Sequence, residues 1–248
     1  MSYLNLSVWD IALLTIIPVQ ATILAYIHRP QLKAALSIIP LPFTLATLSL
    51  GRPIDGTNIA GILLLIVFIH SVRIITYSLR FHVIVAIVFA ACAYCLAGSL
   101  LARIVSHTDM MFWIITVMSF VLGIILNVLT PNVEEPGHKS PIPVLLKWII
   151  MTCVVFILII IKKQLLGFMT FFPMVGVVAS YEMRFSLWTY CRNVHYFIIA
   201  AIPMIIAIRL TQERFGLETA LVFGWAALLI IAVPFYMITW KKTAIEVC

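Results

Sequence analysis

His70 and Arg73 stand three residues apart inside an apolar run, a spacing that puts both on one face of a helix. A charged side chain at mid-membrane costs roughly 2.5 to 3.5 kcal/mol on insertion scales, so it must face protein or water. Such a pair can hold an anion or relay a proton. The plainer alternative has Arg73 snorkelling to the boundary while His70 donates to a neighbouring carbonyl. Arg192 and His195, with Asn193 between them, repeat the pairing near the start of a later run, where interface anchoring is the competing account. Glu182 closes a run in VASYEMR, with Arg184 two residues on, and Glu218 lies just inside the last run. An intramembrane carboxylate needs a cation, a proton or water; near a helix N-terminus the dipole also suits it. Asn127 reads as an interhelical hydrogen bond or a boundary contact rather than a ligand.

Pro40, Pro42 and Pro173 remove backbone donors from within apolar runs and should kink or break their helices. Backbone groups freed at membrane depth are tolerated where they line a cavity or pack on protein. Paired broken helices in corresponding positions point to a transport site; a kinked packing helix is the alternative. Gly216, Ala220 and Gly224 form a small-xxx-small ladder that reads as helix packing, echoed by Ala86, Ala90 and Ala93. Cys92 and Cys95 have metal-ligand spacing but no second pair to complete a site, so they read as small packing residues. No nucleotide loop, HExxH motif or carboxylate cluster occurs, so no catalytic residue, metal or cofactor is assigned.

These residues sit in a chain that is 64% apolar and only 10% charged, against about a quarter charged for a soluble domain. Lipid must be the solvent for much of its surface. The net charge of +7 is spread over short loops, which suits anionic lipid head groups and argues against nucleic acid. A cleavable signal peptide is not expected, because Asp10 interrupts the first apolar run. Five cysteines, mostly in or beside apolar runs, make disulfides improbable.

Apolar length and punctuation predict an all-α, polytopic membrane protein of about nine spans. They fall near 8–27, 33–50, 58–79, 82–105, 111–130, 144–161, 165–183, 187–210 and 215–239. Residues 111–130 carry no charge in twenty positions and read as a lone linking helix between a first bundle, 8–105, and a second, 143–242. Shifting the second half by about 134 residues lays basic stops, helix-breaking prolines and Phe/Ala/Val positions on one another. Four crossings, one linking crossing and four more turn the second bundle over, giving two inverted four-helix repeats. Lys and Arg near the loops divide six against eight between the two sides, too even to assign an inside.

The stretches VLLKWIIMTCVVFILIII (144–161), LLGFMTFFPMVGVVASYE (165–182), HYFIIAAIPMII (195–206) and, in the first half, AALSIIPLPFTLATLSL (34–50) resemble the small four-helix bacterial membrane proteins of the GlpM family. The resemblance implies a bacterial inner-membrane protein in a duplicated, fused form and carries no catalytic residue across. The architecture is similar to fused forms of small dual-topology exporters and channels, by analogy alone. Transport or permeation of a small solute or ion is the expected function, with His70, Arg73, Glu182, His195 and Glu218 as polar candidates. A scaffold or accessory subunit of an envelope or polysaccharide system is the rival. The lipid bilayer is the expected partner, with a homo-oligomer or membrane partner possible in principle.

Overall fold

The computed structural model describes residues 6–245, apart from 38, 106–107, 132, 134 and 139–142, with side chains through 234. Ten α-helices and one 3₁₀ turn make up its regular structure. They are α1 (Val8–Tyr26), α2 (Pro30–Ser37), α3 (Leu41–Leu50), α4 (Gly56–Tyr77), α5 (Val83–Leu101) and α6 (Asp109–Leu129). α7 (Val144–Leu165), the 3₁₀ turn (Leu166–Phe171), α8 (Met174–Glu182), α9 (Leu187–Phe215) and α10 (Leu217–Ile245) follow. Among the described residues, eight helical stretches are long and apolar enough to cross a membrane. The protein is therefore an all-α, multi-pass integral membrane protein. Its flanks agree: Val85, Val88 and Phe89 on α5, Val117 and Met118 on α6, Ile157 and Ile160 on α7, and Val222 and Ile230 on α10 are exposed, as lipid-facing side chains must be.

Local chemistry sets the helix ends. Ser7 accepts from the Asp10 amide while the Asp10 carboxylate accepts from the Ser7 amide, a capping box that starts α1. Asp55 and Asn58 do the same for α4. Thr108 caps α6. Gly51, at φ +60°, supplies the left-handed turn that ends α3. Leu166 also has positive φ, +50°, a region that costs a side chain with a Cβ. It abruptly redirects the chain out of α7.

Side-chain contacts fix the course of the crossings. Asp10, at the start of α1, bonds Lys162 near the end of α7, so these packed helices run antiparallel. Lys33 on α2 and Glu182 at the end of α8 meet Lys147 near the start of α7. The bundle thus has an Asp10 end and a Lys33 end. Tyr77 closes α4 at the Lys33 end, its hydroxyl donating to the Arg184 carbonyl (3.2 Å). Arg209, late in α9, pairs with Asp109 at the start of α6 and donates to the Ile54 carbonyl, placing all three at the Asp10 end. Gln212 clamps Ile54 beside them, accepting from its amide (2.8 Å) and donating to its carbonyl (3.0 Å).

The expected span near 165–183 is not one helix. It is the 3₁₀ turn and the nine-residue α8, interrupted at Phe172–Pro173. It crosses nonetheless, because it leaves α7 at the Asp10 end and delivers Glu182 to the Lys33 end. The span near 33–50 is likewise split into α2 and α3 around Pro40. Proline explains both interruptions: it lacks the N–H that a continuous helix would use and crowds the preceding turn.

Candidate functional site

Both interrupted crossings break beside the same small cavity. Its volume is about 60 Å³, and Ser37, Pro40, Phe43, Thr170, Phe172 and Gly176 are among the residues that line it. That is room for water, which needs at least about 10–15 Å³ on the same measure. At the first break Leu41 N–H donates to the Ile39 carbonyl (2.8 Å) and Thr44 N–H to the Pro40 carbonyl (3.0 Å). At the second, Met174 N–H donates to the Phe172 carbonyl (2.7 Å) and Val177 N–H to the Pro173 carbonyl (2.9 Å). Gln20 of α1 donates to the Leu36 carbonyl (3.2 Å), covering one acceptor that α2 leaves open. The two breaks touch through Phe43 and Phe171, whose ring centroids lie 4.9 Å apart. Gly176 is required here: a Cβ would stand 2.8 Å from the Tyr190 hydroxyl and 2.7 Å from Pro173 Cβ.

The 3₁₀ turn is held in place by α4 and α5. Thr57 Oγ1 accepts from the Gly167 amide (3.1 Å), and Asn58 Nδ2 donates to Thr170 Oγ1 (3.2 Å). Tyr94 reaches the Phe168 carbonyl (2.8 Å) and the Gly61 carbonyl (3.2 Å). These bonds answer the demand that irregular backbone at membrane depth be satisfied by protein.

Ion pairs fasten α7 at each end, to α1 at one and to α8, with α2 beside it, at the other. At one, Lys162 Nζ lies 2.7 and 2.8 Å from the two Asp10 oxygens and also donates to the Ser49 carbonyl (3.2 Å). Ser49 Oγ donates to Asp10 as well. At the other, Glu182 accepts from Lys147 (2.7 Å) and Lys33 (3.5 Å). Asp10, Lys33, Lys147 and Glu182 are all buried. Lys33, Lys147 and Lys162 stand near the ends of apolar runs, among the cations counted near the loops, and the structure draws each to a buried carboxylate.

His70 and His195 face each other across α4 and α9, Nε2 to Nε2, at 3.0 Å. Arg73 Nη2 lies 3.3 Å from His70 Nδ1, and Thr130 Oγ1 lies 3.2 Å from His195 Nδ1. Donor and acceptor roles then follow in one direction. Arginine only donates, so His70 Nδ1 accepts and His70 Nε2 carries the proton. His195 Nε2 must accept it, leaving His195 Nδ1–H to donate to Thr130, which donates to the Leu126 carbonyl (2.6 Å). Arg73 is covered by Trp188, its guanidinium 3.7 Å from the ring centroid. His70 thus meets a second histidine rather than a carbonyl. The two Arg/His pairs occupy opposite ends of their helices, and because α4 and α9 run in opposite directions those ends fall at one depth.

The remaining candidates lie elsewhere. Glu218 is exposed in the first turn of α10, where the helix dipole accommodates it. Arg192 Nε donates to the Tyr196 hydroxyl (3.0 Å). Ala220 is fully buried, and a Cβ at Gly224 would press on Ile208 and Met204 of α9, so both pack helices together. Gly216 does not: it makes the α9–α10 turn at φ +78° with open space around it. Among the described residues no group of three His, Cys, Asp or Glu side chains could hold a metal. In the long loop His138 Nε2 accepts from Arg184 Nη2 (2.6 Å), and burial together with the Arg184 charge holds the His138 pKa below the usual imidazole range.

Among the described residues, eight apolar stretches able to cross a membrane, one of them split at Pro40, and buried charges paired near the two ends of the bundle define a multi-pass membrane protein. No family model matches the chain, and no curated protein or solved structure matches it either.

Proposed function

We propose that the chain is a transporter or permeation pathway for a small solute or ion, running through the seam between two flipped four-helix repeats. The observation that carries this reading is the meeting of two proline-interrupted crossings at one cavity. A single kinked helix is ordinary packing, whereas two that break against each other recur where transporters bind their cargo. The repeat has its own support. α1 to α5 and α7 to α10 follow the same order of crossings in opposite senses, with α6 between them. The end clusters correspond too: Asp10 and Lys147 open the first helix of each half, and Ser49 and Glu182 close the interrupted crossing of each half. On this reading the protein belongs with GlpM-like proteins of a bacterial inner membrane.

A second reading, a non-transporting scaffold or accessory subunit of an envelope or polysaccharide system, is favoured by one observation. His70, Arg73 and His195 bond one another at the Lys33 end, not around the cavity, and Glu218 faces outward. Single cysteines at Ser37, Thr170 and Val194, in a variant lacking the native cysteines and reconstituted in liposomes, separate the two. A pathway requires that water-soluble charged thiol reagents modify these cavity positions. Complete protection from both faces, under conditions that modify a loop cysteine, would overturn it.

A further inference from the structure

The two ends of the bundle differ in charge. At the Asp10 end one carboxylate meets one ammonium. At the Lys33 end Glu182 meets two among the described residues, and all three side chains are at least nine-tenths buried. Among the described residues Lys147 Nζ meets one acceptor, Glu182 Oε1, and Lys33 Nζ meets two, Glu182 Oε2 and the His138 carbonyl (2.9 Å). Arg184 adds a third cation, spending its hydrogen bonds on the Tyr181 carbonyl and His138 Nε2 rather than on a carboxylate. Among the described residues the other nearby acid is Glu135, which accepts from the amides of Trp188 (3.2 Å) and Thr189 (2.7 Å) at the start of α9. A buried charge left without a counter-charge is the costly arrangement, far more so than a buried pair.

We propose that the junction of α2, α7 and α8 is an anion-binding site, in which Lys147, Lys33 and Arg184 hold one small anion against the single negative charge of Glu182. Lysine ammonium groups with unused donors suit a compact anion such as a halide or the oxyanion of a phosphate group. The role of the site on a permeation route rests on the transport reading above and names its substrate class as anionic; the binding itself rests only on these contacts. The phosphate of an anionic lipid has the same chemistry as a free anion, and the site lies at the Lys33 end of the bundle.

Purified protein in a neutral detergent, in sodium gluconate, is titrated with chloride, nitrate and phosphate while the unfolding temperature is followed. A saturable rise is expected. Lys147→Gln removes one of the three cations and leaves Lys33 and Arg184 against Glu182, so its half-saturating concentration should rise at least about tenfold. Glu182→Gln adds to the imbalance and should lower that concentration, even if the variant starts less stable. A merely structural ion pair predicts destabilisation by both substitutions with no change in anion response. Wild type and Lys147→Gln responding alike overturns the proposal, and so does a lysine that meets the imbalance by losing its proton. Nanodiscs of phosphatidylglycerol against phosphatidylcholine identify the source: stabilisation by the anionic lipid alone, lost in Lys147→Gln, supports a headgroup in the site. Efflux of chloride, nitrate or potassium from liposomes separates the two claims. Saturable binding without efflux keeps the site and sinks the transport reading; potassium efflux with no anion response keeps transport and sinks the site.

Discussion

Lys162→Met should be among the most destabilising single changes on the α1–α7 seam. Its ammonium contacts both Asp10 oxygens and also Ser49, while the Asp10 side chain is 1% exposed and the lysine 17%. Removing the lysine strands a buried carboxylate whose remaining donors are the Ser7 amide and the Ser49 hydroxyl. Breaking a buried pair from one side costs about 3–5 kcal/mol. Asp10→Asn should cost less, about 1–3 kcal/mol, because the lysine keeps the Ser49 carbonyl and some access to solvent. The double variant carries neither charge, so its loss should fall short of the summed single losses by about 2–3 kcal/mol. Equilibrium unfolding of the purified protein in mixed micelles, titrated with a denaturing detergent, gives all four free energies. Additivity within about 0.5 kcal/mol would show that the two groups do not interact, and α7 would lose one of its two fastenings.

Gly167→Ala should cost about 1–3 kcal/mol, since its Cβ would come 2.2 Å from Thr57 Oγ1 and 2.6 Å from the Asn58 amide. Gly224→Ala should cost less in the same unfolding assay, because its Cβ meets side-chain carbons of Ile208 and Met204 that can yield; equal losses would refute the distinction. Nitrogen-15 spectra of labelled histidine should find the proton of His70 on Nε2 and that of His195 on Nδ1, and the reverse assignment would break the chain of donors from Arg73 to Leu126. The depressed His138 pKa contributes stability that is whole above the free imidazole value of about 6.5 and is lost as pH falls through the folded value. Thermal scans should therefore show wild type weakening on acidification, an effect that His138→Gln lacks.

Periodicity and apolar length made most crossings legible, and the prolines announced both interruptions. Charge was harder to read. Lys33, Lys147 and Lys162 stand near run ends, where lysine ordinarily snorkels to water, and nothing local in the chain distinguishes a snorkelling ammonium from one pulled inward. The signal that could have found them is pairwise: Asp10 and Lys147 each stand in the first turn of an apolar helix, and each needed a partner at the far end of an antiparallel neighbour. The His70–His195 contact was hidden for another reason: the count of crossings puts opposite ends of the third and eighth at one depth, but nothing in the sequence says that these two helices pack side by side. Gly216 was misread as a packing residue because a turn glycine and a ladder glycine differ in φ, not in spacing.

The unequal charging of the two ends has an electrical consequence. Among the described residues one ammonium meets one carboxylate at the Asp10 end, while at the Lys33 end two ammonium groups meet Glu182, so the electrostatic potential inside the bundle is more positive toward the Lys33 end.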